Sequence, residues 1–255
     1  MPAATLYVFA ISHYCEKARW ALDHCAIPYQ LQHCVPGMNR KLAKQLDHHV
    51  PPRKGIGSLP FLQTNGELIA GSAAILDWAE THRATDKPSL NGTDPDAVRA
   101  LEQRLDAVAG VHIRRYYYSE ALVSDSSTVR SMFSKDLPFI ARWSTRLAWP
   151  KIVPLMMQGM DLGPQQGKQS QALIEGELDW LDSLLADGRH YLDGDTFSRA
   201  DLTAASLLAP LVNPANHPTY GNLTMPKRLE ETIGPWRERP VLRWVNRLYE
   251  QHRRR

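Results

Sequence analysis

The residues of this chain best equipped for chemistry stand together near its start, in Ser12-His13-Tyr14-Cys15. A hydroxyl and a thiol three positions apart fit the first turn of a helix. Ser12 would be the cap that accepts a free N–H, and Cys15 would lie where the helix start favours a thiolate. Two chemistries follow from this pair. A serine hydroxyl can hydrogen-bond to the sulfur of a bound thiol, and a cysteine can itself attack. Three residues past a cap, a side chain more often points into the domain than toward a ligand, so Ser12 is the preferred residue and Cys15 the alternative. Tyr14 offers a second hydroxyl, with aromatic packing as its ordinary role. His13 flanks Ser12, but sequence neighbours are badly placed for proton transfer and no acid follows to orient the ring.

Other chemistry-bearing residues are more scattered. Cys25 and Cys34 complete an odd, widely spaced set of three cysteines, which forms neither a disulfide framework nor a zinc pattern. Cys25 falls on the apolar stripe of its helix and reads as a small hydrophobe. His48-His49 lies in a loop and reads as solvated. Beyond residue 95, His112, Arg115, Tyr116, Tyr117 and Tyr118 cluster late in the first long helix, where tyrosines give an apolar wall with a polar tip. No Gly-rich phosphate loop and no metal-ligand spacing is present.

The elements that must position these groups follow from pattern. Thr5 to Ile11 is a buried strand, rich in β-branched and aromatic residues. Ser12 opens a helix whose inner face is Ala18, Ala21, Leu22 and Cys25, and Pro28 ends it. Tyr29 to Cys34 is extended, and Asn39 to Asp47 is a polar helical piece. Leu59-Pro60-Phe61-Leu62 reads as a strand, Thr64-Asn65-Gly66 as a tight turn and Glu67 to Ala70 as the partner strand. Ser72 then opens a helix with Ile75, Leu76 and Ala79 inward. The order βαβ, α, ββ, α predicts a sheet covered by helices over 1–84.

Residues 85–95 turn polar, with Pro88, Asn91, Gly92 and Pro95, and read as a linker. Over 96–255 only helical stripes recur: Leu101, Leu105, Val108 and Val111; Ile174, Leu178, Leu181 and Leu185; Val241, Trp244, Val245 and Leu248. Pro138, Pro150 and Pro154 predict bent or interrupted helices between about Asp125 and Pro164.

Composition narrows the classes. With 43% hydrophobic and 22% charged residues the chain is ordinary for a globular protein. A net charge of +3, with its visible cluster at Arg253-Arg254-Arg255, supplies no basic stripe interleaved with aromatics, so no nucleic-acid partner is expected. No apolar run approaches a membrane span, and no secretory start is visible. A cytoplasmic protein without a membrane partner is the expectation. Asn91-Gly92-Thr93 and Asn222-Leu223-Thr224 then carry no weight as glycosylation acceptors.

A strand, then Ser12-His13-Tyr14-Cys15 opening a helix, Leu59-Pro60 opening a hairpin, and Gly71-Ser72 opening the next helix: this order resembles the glutathione transferases of serine type. It covers nearly the whole chain and is sharpest over 5–80 and at Phe197 to Asp201. The resemblance implies an α/β thioredoxin-like N-terminal domain followed by an all-α helical C-terminal domain. It implies glutathione as co-substrate, held by Ser58, Leu59, Pro60, Gly71 and Ser72, with Pro60 cis and Leu59 pairing with the ligand as an added strand does. Ser72 would bind the γ-glutamyl carboxylate at a helix start. Gly71 stands where the family has an acid that holds the ligand's amino group. Ser12 would favour the glutathione thiolate for attack on a small electrophile, in a pocket that includes Tyr14, His112, Arg115 and Tyr116. Ser198 to Asp201 matches the family's helix-capping motif. A homodimer is implied as well. Two other functions stay open: a transferase-like fold with a decayed site, kept for ligand binding or interaction, and a glutathione-dependent thiol reductase working through Cys15.

Overall fold

A computed structural model describes residues 4–46, 58–65, 67–220 and 225–253. His48, His49, Gly66, Asn222 and the last two arginines lie outside them. The chain begins with β1 (Ala4–Val8), α1 (His13–His24), β2 (Tyr29–His33), α2 (Asn39–Leu46), β3 (Phe61–Thr64), β4 (Glu67–Ala70) and α3 (Ser72–Thr81). The four strands form one mixed sheet in the order β2-β1-β3-β4. β1 runs parallel to β2, with Leu6 opposite Leu31, and antiparallel to β3, with Tyr7 opposite Phe61. β3 and β4 form the expected hairpin, and Phe61 faces Ala70.

Burial follows the sequence pattern here. Leu6, Phe61 and Leu62 of the sheet and Ala18, Ala21, Leu22, Ile75, Leu76 and Ala79 of α1 and α3 are buried, and the two helices pack together. The first strand is shorter than its apolar run. It ends at Val8, and a turn closed by the Ser12 amide on the Phe9 carbonyl (3.1 Å) carries the chain into α1.

Helices make up the rest: α4 (Pro95–Leu105), a π-helical turn (Asp106–Gly110), α5 (Val111–Ser134), α6 (Phe139–Gly159), α7 (Pro164–Leu185), α8 (Arg199–Val212), α9 (Lys227–Ile233), a 3₁₀ turn (Gly234–Glu238) and α10 (Pro240–His252). The fold is therefore a thioredoxin-like four-stranded domain followed by a helical region. By internal contacts the chain divides into two units. The first is Met1–Ser89 with Arg130–Ile152, and the second is Leu90–Val129 with Val153–Arg255.

Within the first unit, Phe133 meets Phe9 edge-on with ring centroids 5.5 Å apart, and Trp149 lies 6.2 Å from Phe133. The added helical segment thus buries Met132, Phe133, Leu137, Trp149 and Ile152. The helices are interrupted at Pro138, between Ser134 and Phe139, as expected, and again at Asp125, whose backbone is non-helical and whose carboxylate accepts from the Thr128 amide at 3.1 Å, as a cap does. Pro150 and Pro154 are accommodated inside α6.

In the second unit α8 is the axis: every residue from Arg199 to Leu211 is buried. Val241, Trp244, Val245 and Leu248 of α10 and Ile174, Leu178 and Leu181 of α7 are buried as their stripes predict. The α4 stripe needs correction. Its buried positions are Val98, Glu102 and Leu105, continued by Ala109, whereas Leu101 and Val108 are only half-buried. Two causes act. Glu102 is drawn inward by Arg199, at 2.6 Å with both side chains buried. The π-helical turn adds a residue to its turn and shifts the phase beyond Leu105.

The capping motif is complete. Asp201 accepts from the Ser198 amide (2.8 Å) and hydroxyl (2.6 Å) and from the Leu192 amide (2.7 Å). Burial raises this carboxyl to about 6, with these hydrogen bonds pulling the other way.

Candidate functional site

Strand register decides which residues can share a site. Tyr7 is opposite Phe61, and Phe61 is opposite Ala70. The chain leaving β1 toward Ser12, the chain entering β3 from Pro60 and the chain leaving β4 into Gly71-Ser72 therefore emerge at the same end of the sheet. α1 and α3 both start there, so two helix N-termini with their partial positive charge face this end.

The Leu59–Pro60 peptide bond is cis. The Pro60 carbonyl accepts from the Gly71 amide at 3.0 Å, which ties the hairpin entrance to the start of α3. Among the described residues neither the amide nor the carbonyl of Leu59 has a backbone partner. Leu59 thus presents an open edge beside the proline, of the kind an extended peptide can pair with. Its side chain is buried, as is Pro60, while Ser58 is exposed.

Gly71 caps α3 with φ 95° and ψ 146° and makes no side-chain cap bond. Such a backbone is nearly exclusive to glycine. An added Cβ would meet nothing within 4 Å, so the demand is one of torsion and not of space. Ser72 is the first helical residue, and its hydroxyl has no hydrogen-bond partner among the described residues. A first-turn hydroxyl beside free helix amides is a suitable seat for a carboxylate.

Ser12 caps α1 from an extended backbone, and its Oγ accepts from the Cys15 amide at 3.4 Å. Ser12 is half-buried, so its hydroxyl can reach both helix and solvent. Cys15 is 3% exposed. Burial pushes its thiol up to about 12, against the smaller lowering by hydrogen bonds from the Ser12 side chain and the Phe9 backbone. The effect of burial exceeds the thiolate preference of a helix start. Cys25 and Cys34 are also buried free thiols, raised by burial to about 12 and about 11. Tyr14 is half-buried, with its ring 4.7 Å from that of His13.

The other pocket candidates belong to the second unit. His112 pairs through Nδ1 with the Ser170 hydroxyl at 3.2 Å, and burial followed by the nearby Arg115 charge lowers its pKa. Arg115 is engaged by Asp161, through the backbone carbonyl at 2.9 Å and the carboxylate at 2.5 Å. Tyr116 is 2% exposed and packs 5.8 Å from the Trp236 ring. Of these three, His112 and Arg115 retain partial exposure and Tyr116 is a core residue.

A cavity of about 300 Å³ in the first unit is lined by Ile27, Pro28, Thr64, Trp78 and His82 among others. These residues close the opposite end of the sheet, so this cavity is separate from the Ser12–Leu59–Ser72 group. What residue-by-residue reading missed at the site is backbone: the Gly71–Pro60 bond, for which the only signal was a glycine at an unexpected place.

Residues 6–87 match the family model described as glutathione S-transferase, N-terminal domain. No curated protein matches the sequence. Among solved structures, a glutathione transferase of Phanerochaete chrysosporium superimposes with TM-score 0.61 at 18% identity, covering 97% of this chain and 96% of that one. A glutathione S-transferase of Ceriporiopsis subvermispora in complex with glutathione gives 0.58 at 16%, covering 99% and 98%. The β-etherase LigF of Sphingobium gives 0.56 at 14%, covering 95% and 98%. At such identities the likeness speaks for the fold, and the family rests on the matched domain. Residues 6–87, built around the cis-Pro60 corner and the start of α3, therefore belong to the glutathione S-transferase N-terminal domain family.

Proposed function

We propose that this protein is a glutathione transferase of serine type that joins the glutathione thiol to a small electrophile. The observation that carries the reading is the convergence of Ser12, the open Leu59 edge and the Ser72 hydroxyl at one end of the sheet, where two helices begin. Leu59 would pair with the ligand's backbone, with Pro60 fixing the corner and Ser58 beside it. Ser72 and the α3 amides would take the γ-glutamyl carboxylate. The Ser12 hydroxyl would donate to the ligand sulfur. A free thiol near about 8.5 then needs only a modest lowering to be abundant as thiolate at neutral pH. The thiolate forms a carbon–sulfur bond as the electrophile's leaving group departs, or adds to an activated double bond. Tyr14, His112 and Arg115 are the candidates for contact with that electrophile. The family resemblance supports a homodimer working in the cytoplasm.

One observation favours a second reading. Gly71 has no side chain to hold the ligand's amino group, as a decayed site kept for binding or interaction would have it. The reductase reading loses support from the buried, raised Cys15 thiol. Calorimetry of glutathione binding, with Ser72→Ala alongside, tests the proposal. Binding between micromolar and millimolar that the substitution weakens is expected. No binding at millimolar glutathione would leave the decayed-site reading in its place.

A further inference from the structure

Helix α6 carries an apolar surface that the glutathione site does not use. Its inner face, Thr145, Trp149 and Ile152, is buried in the first unit. On the outside, Phe139 is 79% exposed, Ile140 80%, Trp143 59% and Leu147 61%. At 3.6 residues per turn, Trp143 and Leu147 each lie about 160° around the helix from Thr145, so they form a crest directly opposite the buried face. Arg146 flanks the crest on one side, about 100° from Thr145, and Lys151 flanks it on the other, at about 120°. Both cations are exposed. From Leu137 to Met160 the chain has Arg142, Arg146 and Lys151 and no carboxylate.

Four large exposed hydrophobics on two turns of one helix form a patch of the kind that marks an interaction surface. Charge selects the occupant. A second copy meeting this face with its own α6 would bring two rows of cations together with no α6 acid to pair with them. An anionic lipid surface satisfies both features, because the crest can enter the headgroup boundary while the flanking cations meet lipid phosphates. Tryptophan also suits that boundary better than the bilayer interior. We propose that the outer face of α6 docks this protein on an anionic membrane surface, as a peripheral contact. No helix among the described residues is long and apolar enough to cross a membrane, and none is needed for such docking.

The test is co-sedimentation of the full chain with vesicles of phosphatidylcholine containing about 30 mol% phosphatidylglycerol, beside vesicles of phosphatidylcholine alone. Binding to the anionic vesicles is expected, with a loss of about tenfold or more in Trp143→Ser/Leu147→Ser and in Arg146→Gln/Lys151→Gln. It should also weaken as salt is raised from about 0.1 M to about 0.5 M. All four side chains point outward, and circular dichroism with a thermal melt checks that the variants fold. Failure of the wild type to sediment with anionic vesicles would overturn the proposal, as would unchanged binding by the crest variant. Light scattering on the same proteins separates the alternative. A dimer that becomes a monomer on crest substitution, without vesicle binding by the wild type, would assign this face to a second copy.

Discussion

The amide of Gly71 donates to the carbonyl of Pro60 at 3.0 Å, joining the cis-proline corner to the first turn of α3. Because Gly71 holds φ at 95° with nothing near its missing Cβ, Gly71→Ala is expected to cost about 1–3 kcal/mol through torsion alone. Urea unfolding of the variant measures this. An alanine variant as stable as the wild type would refute the torsional account.

Ser72 and Ser12 are predicted to separate binding from turnover. Ser72→Ala removes one charge-assisted hydrogen bond and should raise the glutathione Kd by about tenfold or more. Ser12→Ala should leave that Kd within about threefold while kcat falls by about a hundredfold, the usual scale for one donor to a developing anion. Wild-type turnover in the serine variant would remove Ser12 from the chemistry.

The three thiols are expected to be silent in the native protein. With Cys15 and Cys25 at about 12 and Cys34 at about 11, all buried, labelling by an aromatic disulfide at mildly alkaline pH should be far slower than for a free thiol, and complete only after denaturation. Cys15→Ala should keep conjugating activity. Rapid native labelling of Cys15 would revive the reductase reading.

The buried Glu102–Arg199 pair should behave asymmetrically. Glu102→Ala leaves the Arg199 charge buried without this carboxylate and is expected to destabilise by about 3–5 kcal/mol. The double substitution Glu102→Leu/Arg199→Met should recover most of that loss. Chemical denaturation of the three proteins checks both signs.

Asp201 gives the helical region a pH dependence. Its carboxyl is raised from 3.8 to about 6 by burial, so the folded state holds its proton where the unfolded chain has released it. Its contribution is therefore greatest below about pH 4, declines as pH rises and is flat above about pH 6, a change of at most about 3 kcal/mol. Asp201→Asn should remove that slope from a plot of unfolding free energy against pH. An identical slope in the variant would place its origin elsewhere.

Much of the fold was legible because short-range rules governed it. The strand–helix alternation of the first unit, the cap at Ser12 and the box at Ser198 and Asp201 depend on residues a few positions apart. The candidate site was legible as an order of motifs, though its closing bond, from Gly71 to Pro60, is made by backbone atoms. Glu102 could not be foreseen as a core residue, because its partner Arg199 lies far along the chain. Val108 was read as a core position because a π-helical turn leaves no mark in an apolar repeat, and Leu101 because the inward pull of Arg199 on Glu102 leaves none either. Between Asp125 and Pro164 the break expected at Pro138 is present between α5 and α6, an aspartate cap adds one at Asp125, and Pro150 and Pro154 interrupt nothing.

The division of the chain has a consequence for its birth on the ribosome. Residues 130–152 complete the first unit, although they follow forty residues of the second. Phe9 finds Phe133 only after both are made. The amino-terminal sheet therefore cannot finish packing as it emerges. It must wait with part of its apolar surface open until α6 has left the exit tunnel, and a stop codon or a protease cut between Val129 and Arg130 would leave neither unit whole.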